Sequence, residues 1–283
     1  MARSDKYGFF SRLFRKGPVV PVVRLSGAIG MQVPLMSSMS LASVSKQLDK
    51  AFGYSRASAI ALVVNSPGGS PAQSHLIYQR IRQLADKNKK KVFVFVEDVA
   101  ASGGYMIACA GDEIIADTYS IVGSIGVVSA SFGFEKMLKK IGIERRVYTA
   151  GDSKRQLDAF LPEKPEDIER LKALQLKIHA EFIALVKKSR GKRINNDDKT
   201  LFNGEYWLAE QAQEYGLIDG VGDLRGTLQK RFGKNVATPL IAPPSGFLAR
   251  RLPGLSGSIM PDDWAQTTLA TLEERALWSR YGL

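Results

Sequence analysis

Cysteine is almost absent from this chain. Cys109 is the only one in 283 residues, so no intrachain disulfide can staple the fold. It lies among apolar neighbours, which suits a buried thiol rather than a reactive one. Histidine is nearly as scarce. His75 and His179 are the only two, and both fall in stretches of helical pattern, where a packed or solvated ring is a simpler role than a catalytic base. Long apolar runs are missing too, since no stretch reaches the roughly 18 residues of a membrane-spanning helix. The first segment, MARSDKYGFFSRLFRKG, has neither an apolar core of signal-peptide length nor an Ala-x-Ala cleavage site. Over residues 1–17 it carries five cations together with Phe9, Phe10, Leu13 and Phe14. That pattern suits a short amphipathic helix lying on an anionic membrane, or equally a frayed terminus. The expected location is cytoplasmic or peripheral to a membrane.

What the chain has in excess is positive charge, +12 from 40 Lys and Arg against 28 Asp and Glu. Such a balance invites nucleic acid or an anionic surface. The cations are spread through helices and short runs such as Lys87–Lys91, however, without an aromatic-interleaved stripe or a nucleic-acid motif. A solvated basic surface is the expectation, with no nucleic-acid partner. Strand-like and helical patterns alternate up to about residue 235, which argues for one α/β domain over 18–235. Beyond it, within 236–283, Ala242–Pro261 reads as a Pro-, Gly- and Ser-rich linker. Asp262–Tyr281 reads as an amphipathic helix suited to packing on a neighbouring subunit.

Within the domain, Val19–Leu25 with Pro21 inside it reads as a first strand at a sheet edge. Helices are expected at Leu41–Phe52, Gln73–Leu84, Phe134–Lys140, Pro165–Arg190, Tyr206–Tyr215 and Leu224–Phe232. Further strands are expected at Ala59–Val64, Glu113–Ala116 and Glu144–Thr149. Val92–Val96 is a β-branched and aromatic run without alternation, the mark of a strand covered on both faces. It leads through Glu97 and Asp98 into Ala100, Ala101, Ser102, Gly103 and Gly104, and then a short helical pattern. Ser102 therefore stands at the carboxyl end of a strand and the amino end of a helix, where free backbone N–H groups favour developing negative charge. That placement suits a nucleophile. Tight helix-on-sheet packing alone also explains Ala-Ser-Gly-Gly. The preceding unit has its own turn, Asn65-Ser66-Pro67-Gly68-Gly69-Ser70-Pro71. Adjacent glycines there let backbone N–H groups approach a ligand, as an oxyanion hole requires, though an ordinary strand–helix connection reads the same way.

A serine nucleophile needs a base. No histidine occurs between Ser102 and His179, which disfavours a Ser-His-Asp arrangement. Lysine is the alternative, and it must be neutral: lowering its pKa from about 10.4 to about 7 needs roughly 4–5 kcal/mol of differential interaction. Lys154, in the loop Gly151-Asp152-Ser153-Lys154-Arg155 after an expected strand, is one candidate among many lysines.

Four ordered motifs narrow the choice. NSPGGS at 65–70, DVAASGGYMIACAGDEIIA at 98–116, TYSIVGSIGV at 118–127 and GDSKRQLDAF at 151–160 together resemble the signal peptide peptidase A family of serine peptidases in its short form. The likeness runs from about Ser58 to Gly222. It implies a Clp/crotonase-like α/β fold of repeated β-β-α units with a parallel sheet, plus a C-terminal helical extension. It also implies Ser102 as nucleophile, Lys154 as base and Ser124 as the hydroxyl that hydrogen-bonds the lysine. Oxyanion donors would be Gly69, or Gly68 beside it, together with Gly103. The implied substrates are short or unfolded apolar peptides such as signal-peptide remnants, cut without metal or cofactor by a ring-like homo-oligomer. In short members the serine and lysine come from neighbouring protomers. Many members carry an N-terminal transmembrane anchor, which this sequence does not show; peripheral attachment through residues 1–17 is the expected substitute. Two other readings remain open: a crotonase-like acyl-CoA enzyme, and a non-catalytic scaffold at a membrane surface.

Overall fold

The computed structural model describes residues 17–30, 38–151, 153–242 and 275–283. The basic segment 1–17 lies outside them except for Gly17, as does all but the end of the helix expected at Asp262–Tyr281, of which 275–279 are helical.

Four parallel strands form the centre of the sheet: β1 (Val22–Ser26), β2 (Ala59–Ser66), β3 (Lys91–Ala101) and β4 (Glu113–Ala116). They lie side by side in that order, with β7 (Gly220–Val221) beyond β4. Side chains along a strand alternate between faces, and the core divides accordingly. Leu62, Val64, Val94 and Val96 face one cluster, with Leu48 and Phe52 of α1 (Leu41–Phe52) and Ile77 and Ile81 of α2 (Pro71–Asn88). Ala61, Val63, Phe93 and Phe95 face the other, closed by Leu228 of α8 (Leu224–Phe232). Both faces are covered, which is why β2 and β3 lack polar alternation. Each fully buried Val, Leu or Phe contributes about 1.5–3 kcal/mol.

β1 begins just after Pro21 and ends the strand order, as expected. Its free edge is covered by the segment 237–241, where Val22 N–H donates to Pro239 O (2.9 Å) and Ile241 N–H to Val22 O (2.8 Å). The helices start where the local chemistry directs. Ser40 and Ser43 form a capping box before α1, and the Ser70 hydroxyl caps α2 ahead of Pro71.

The sheet forks within β3. Phe93–Val96 pair with β4, whereas Val99–Ala101 pair with β5 (Ile121–Gly123), and the register against β2 slips between Val64 and Ser66. Glu97 and Asp98 occupy the irregularity and are fixed from β1 and β2. Arg24 grips Glu97 through two hydrogen bonds of 2.7 Å, and the Asn65 amide donates to Asp98 while its oxygen accepts from Val99 N–H. The fork hands the last residues of β3 from β4 to β5 while Ala100 stays paired with Ser66 of β2, and Ser102 follows at the end of that branch.

Two expectations fail here. Tyr206–Tyr215 is not one helix: β6 (Tyr206–Leu208) pairs antiparallel with β5, and only α7 (Ala209–Glu214) is helical. Burial of Trp207 against Gly123 overrides the helical pattern. Glu144–Thr149 forms no strand, because no other described segment pairs with its backbone. It follows α4 (Glu135–Ile141), which buries no side chain, in an arm that projects from the domain. α5 (Pro165–Arg190) returns from that arm, burying Phe182, Val186 and Arg190 in its second half.

Candidate active site

Ser102 lies between β3 and the short helix α3 (Gly103–Ala108) with φ 51° and ψ −121°. For a non-glycine residue that backbone costs on the order of 1–3 kcal/mol, so the surroundings must hold it. Its N–H donates to Gly123 O (2.9 Å), extending the β3–β5 ladder by one bond, and its carbonyl accepts from Met106 N–H (3.0 Å). The Gly103–Gly104 pair is explained by packing alone. A Cβ on Gly103 would stand 2.3 Å from the Ser74 hydroxyl, and one on Gly104 would stand 2.5 Å from the Ser66 carbonyl. The strained serine is not explained that way.

The other wall is the turn after β2. Gly68 (φ 105°) abuts the serine: a Cβ there would lie 2.8 Å from Ser102 Cβ and 3.0 Å from Gly103 N. The turn is fixed by the fully buried Ser66, whose hydroxyl donates to Gly27 O (2.7 Å) and accepts from Gly68 N–H (3.2 Å). The Gly68 N–H is therefore already engaged. Gly69 (φ 141°) sits in a parallel bridge to Ile29, with Ile29 N–H bonded to Gly68 O (2.9 Å) and Ser70 N–H to Ile29 O (2.8 Å). Those bonds leave the Gly69 N–H without an acceptor among the described residues. The Gly103 N–H, at the first helical position, has no intrahelical acceptor either. Among the described residues the two turns around Ser102 thus hold two backbone donors without acceptors, the kind of group an oxyanion hole is built from.

Ser124 is brought alongside. It follows Gly123, has φ 52°, and is anchored by its N–H to Glu205 O (2.6 Å). Its side chain lies close enough to the phenol of Tyr281 to influence that group's ionisation, and nothing in the sequence pointed to Tyr281. Burial pushes that phenol's pKa up, and the neighbouring Ser124 hydroxyl acts the other way. Tyr281 packs edge-on against Tyr206 with ring centroids 5.1 Å apart, and the Tyr206 hydroxyl donates to Arg280 O (3.1 Å).

Lys154 is not brought to the serines. It is exposed, in a turn closed by its own N–H to Gly151 O (3.1 Å), and among the described residues it bonds neither Ser102 nor Ser124. The histidines lie elsewhere. His179 Nε2 lies 3.0 Å from Ile125 O, which gives that nitrogen the donor role, and exposed His75 stacks on Tyr78. Cys109 is buried as expected, and burial pushes its thiol up to about 11, so it is inert near neutral pH.

A family model described as peptidase family S49 matches residues 84–234, and one described as Clp protease matches residues 30–119. The second match ends just after β4 and includes the β2 and β3 turns around Ser102, in agreement with a Clp/crotonase-like α/β fold. Over 272 residues the chain is 58% identical to part of the proteins named Na(+)/H(+) antiporter NhaA in Brucella abortus and Brucella melitensis, covering 93% of this chain and 37% of each of those. It is 30% identical over 256 residues to the chloroplastic serine protease SPPA of Arabidopsis thaliana (86% of this chain, 37% of that one). It is 36% identical over 193 residues to protease 4 of Haemophilus influenzae (66% and 30%). The chain thus spans between 30% and 37% of the length of these relatives.

Proposed function

Because the chain belongs to peptidase family S49, we propose that it is a serine endopeptidase working through a Ser102–Lys154 dyad. The observation that carries the proposal is the strained Ser102, held between two turns whose Gly69 and Gly103 N–H groups lack acceptors among the described residues. Ser102 Oγ attacks the peptide carbonyl while neutral Lys154 Nζ takes its proton. The oxyanion is received by Gly69 and Gly103. The ammonium then protonates the leaving amine as the C–N bond breaks, and a water deprotonated by the same lysine releases the acyl group. Ser124 orients the lysine by hydrogen-bonding its amine. Short or unfolded apolar peptides, signal-peptide remnants among them, are the proposed substrates.

Lys154 stands exposed on the projecting arm of a single chain, so the dyad is proposed to form between neighbouring protomers of a ring. Phe132, Met137, Ile141, Ile143 and Tyr148 are all exposed on that arm, apolar surface that supports subunit contact. None of the described helices is long and apolar enough to cross a membrane. Likeness to part of proteins named as antiporters supports a place beside a membrane, with segment 1–17 resting on anionic lipid. Deleting residues 1–17 should weaken pelleting with anionic liposomes, and equal pelleting would remove that attachment.

The dyad is tested by Ser102→Ala and Lys154→Ala, assayed separately on a fluorogenic peptide and with a serine-reactive probe. Each should lower kcat by at least about 10³-fold, as loss of a nucleophile or base does in serine peptidases. Probe labelling should map to Ser102. Retained turnover in either variant defeats the mechanism.

A further inference from the structure

A lysine in an exposed loop is a poor base unless something fixes the loop, since misplacement of a reacting group by about 1 Å costs on the order of 10²-fold in rate. The arm supplies little packing: α4 buries no side chain, and the described residues from 142 to 165 are exposed or half-buried. One carboxylate stands apart. Asp158, four residues beyond Lys154, has a side chain only 10% exposed. Arg145 Nη1 donates to both of its oxygens, Phe160 N–H donates to Oδ1 (3.1 Å), and Arg155 Nε lies 3.5 Å from Oδ2. Among the described residues that Arg155 Nε is buried without a hydrogen-bond partner, and Asp158 is the carboxylate nearest to it there.

The same residues tie the loop to the rest of the arm. The Arg145 guanidinium lies 4.6 Å over the Phe160 ring, Phe160 stacks on Phe134 at 5.5 Å, and Phe134 N–H donates to Ala159 O (2.6 Å). Leu157, beside the carboxylate, is held at φ 52°, a backbone that persists only where its neighbours enforce it. On the other side of the lysine, Arg170 Nη1 donates to Ser153 Oγ (3.2 Å) and pairs with Asp167 at 3.6 Å. Lys154 is thus flanked by two ties, and Asp158 is the centre of the larger.

We infer that Asp158 is a positioning residue: it folds the loop 153–160 into the shape that presents Lys154, without touching substrate. The inference rests on the dyad proposed above. Arg145's hydrogen bonds hold the Asp158 carboxyl below the ordinary carboxylate range, so it stays ionised at neutral pH. This cluster lies outside both core clusters, and Arg145, which makes its hydrogen bonds, keeps a side chain 38% exposed. Its loss should therefore be felt in the loop and not in the fold.

The test compares Asp158→Asn, Asp158→Glu and Lys154→Ala in the full chain, measuring kcat, KM and the thermal midpoint. Asp158→Asn should lower kcat by roughly 10–100-fold with KM and the midpoint unchanged, the size expected for misplacing a base, and Asp158→Glu should recover part of the loss. Wild-type kcat in Asp158→Asn beside an inactive Lys154→Ala overturns the positioning role and leaves the dyad standing. A kcat loss that comes with a lowered midpoint, unrelieved by glutamate, also overturns it, because that marks a structural carboxylate. Activity in Lys154→Ala removes the dyad itself and this inference with it.

Discussion

Ser102 has a backbone that an L-residue resists, and Gly68 is the residue that makes room for it. Two constraints coincide at Gly68: φ is 105°, and a Cβ would meet Ser102 Cβ at 2.8 Å and Ala101 O at 2.9 Å. Gly68→Ala should cost about 1–3 kcal/mol of stability, the strain of a disallowed backbone conformation. It should also displace Ser102 from its two donors, so probe acylation falls by more than the loss of folded protein explains. Urea unfolding and the acylation rate, measured on the same preparation, separate the effects. The place of Ser102 between a strand and a helix was legible because a strand pattern runs directly into a small-residue turn, but that pattern did not separate a nucleophile from tight packing. The engagement of Gly68 N–H by Ser66 was not legible, because it depends on which way a buried hydroxyl points. Lys154 was singled out by family likeness, and spacing alone would not have chosen it among the chain's lysines.

At the scale of elements, the end of α5 is locked to the domain by a buried ion pair. Arg190, 1% exposed, donates to both Asp219 oxygens (2.9 Å each) and to Gly216 O (2.9 Å), while Asp219 also accepts from Ile114 N–H at the start of β4 (2.7 Å). Burial alone would raise the Asp219 carboxyl pKa, but the bonds from Arg190 bring it below the ordinary range. The folded state therefore binds this proton less readily than the unfolded chain. Stability from the pair is complete above the ordinary carboxylate pKa, and it is lost as pH falls below about 4. Asp219→Asn leaves a buried guanidinium uncompensated and should cost about 3–5 kcal/mol at pH 7. The gap between wild type and variant in urea titrations should narrow as pH falls toward 3; a gap that does not depend on pH would show that charge pairing is not its source. The sequence displayed α5 clearly, with acids in its first turn, cations in its last and Gly191 after it. It hid β6, because Tyr206–Leu208 is a strand only through its partner β5, and no local periodicity records a partner.

At the scale of the molecule, the arm from about residue 128 to 176 is a part without a counterpart in its own chain. It presents Val128, Phe132, Met137, Ile141, Ile143, Tyr148, Leu174 and Leu176 to solvent, and it carries Lys154, which is exposed and bonds no group of Ser102. If each dyad joins Ser102 of one protomer to Lys154 of the next, two inactive variants can repair each other. Ser102→Ala protomers still supply lysine, and Lys154→Ala protomers still supply serine. Random co-assembly of equal amounts into a closed, head-to-tail ring would leave about one junction in four with both groups. Activity should therefore recover to about a quarter of wild type after the variants are dissociated and reassembled together, and stay near zero when each is reassembled alone. Pairing within one chain predicts no recovery, since every protomer then lacks one group. Phe132→Asp combined with Ile141→Asp should abolish the recovery while leaving the thermal midpoint of the domain unchanged, because neither side chain is buried in the single chain. Sedimentation of that double variant supplies the remaining control: a ring that still assembles would place the subunit contact elsewhere than on the arm.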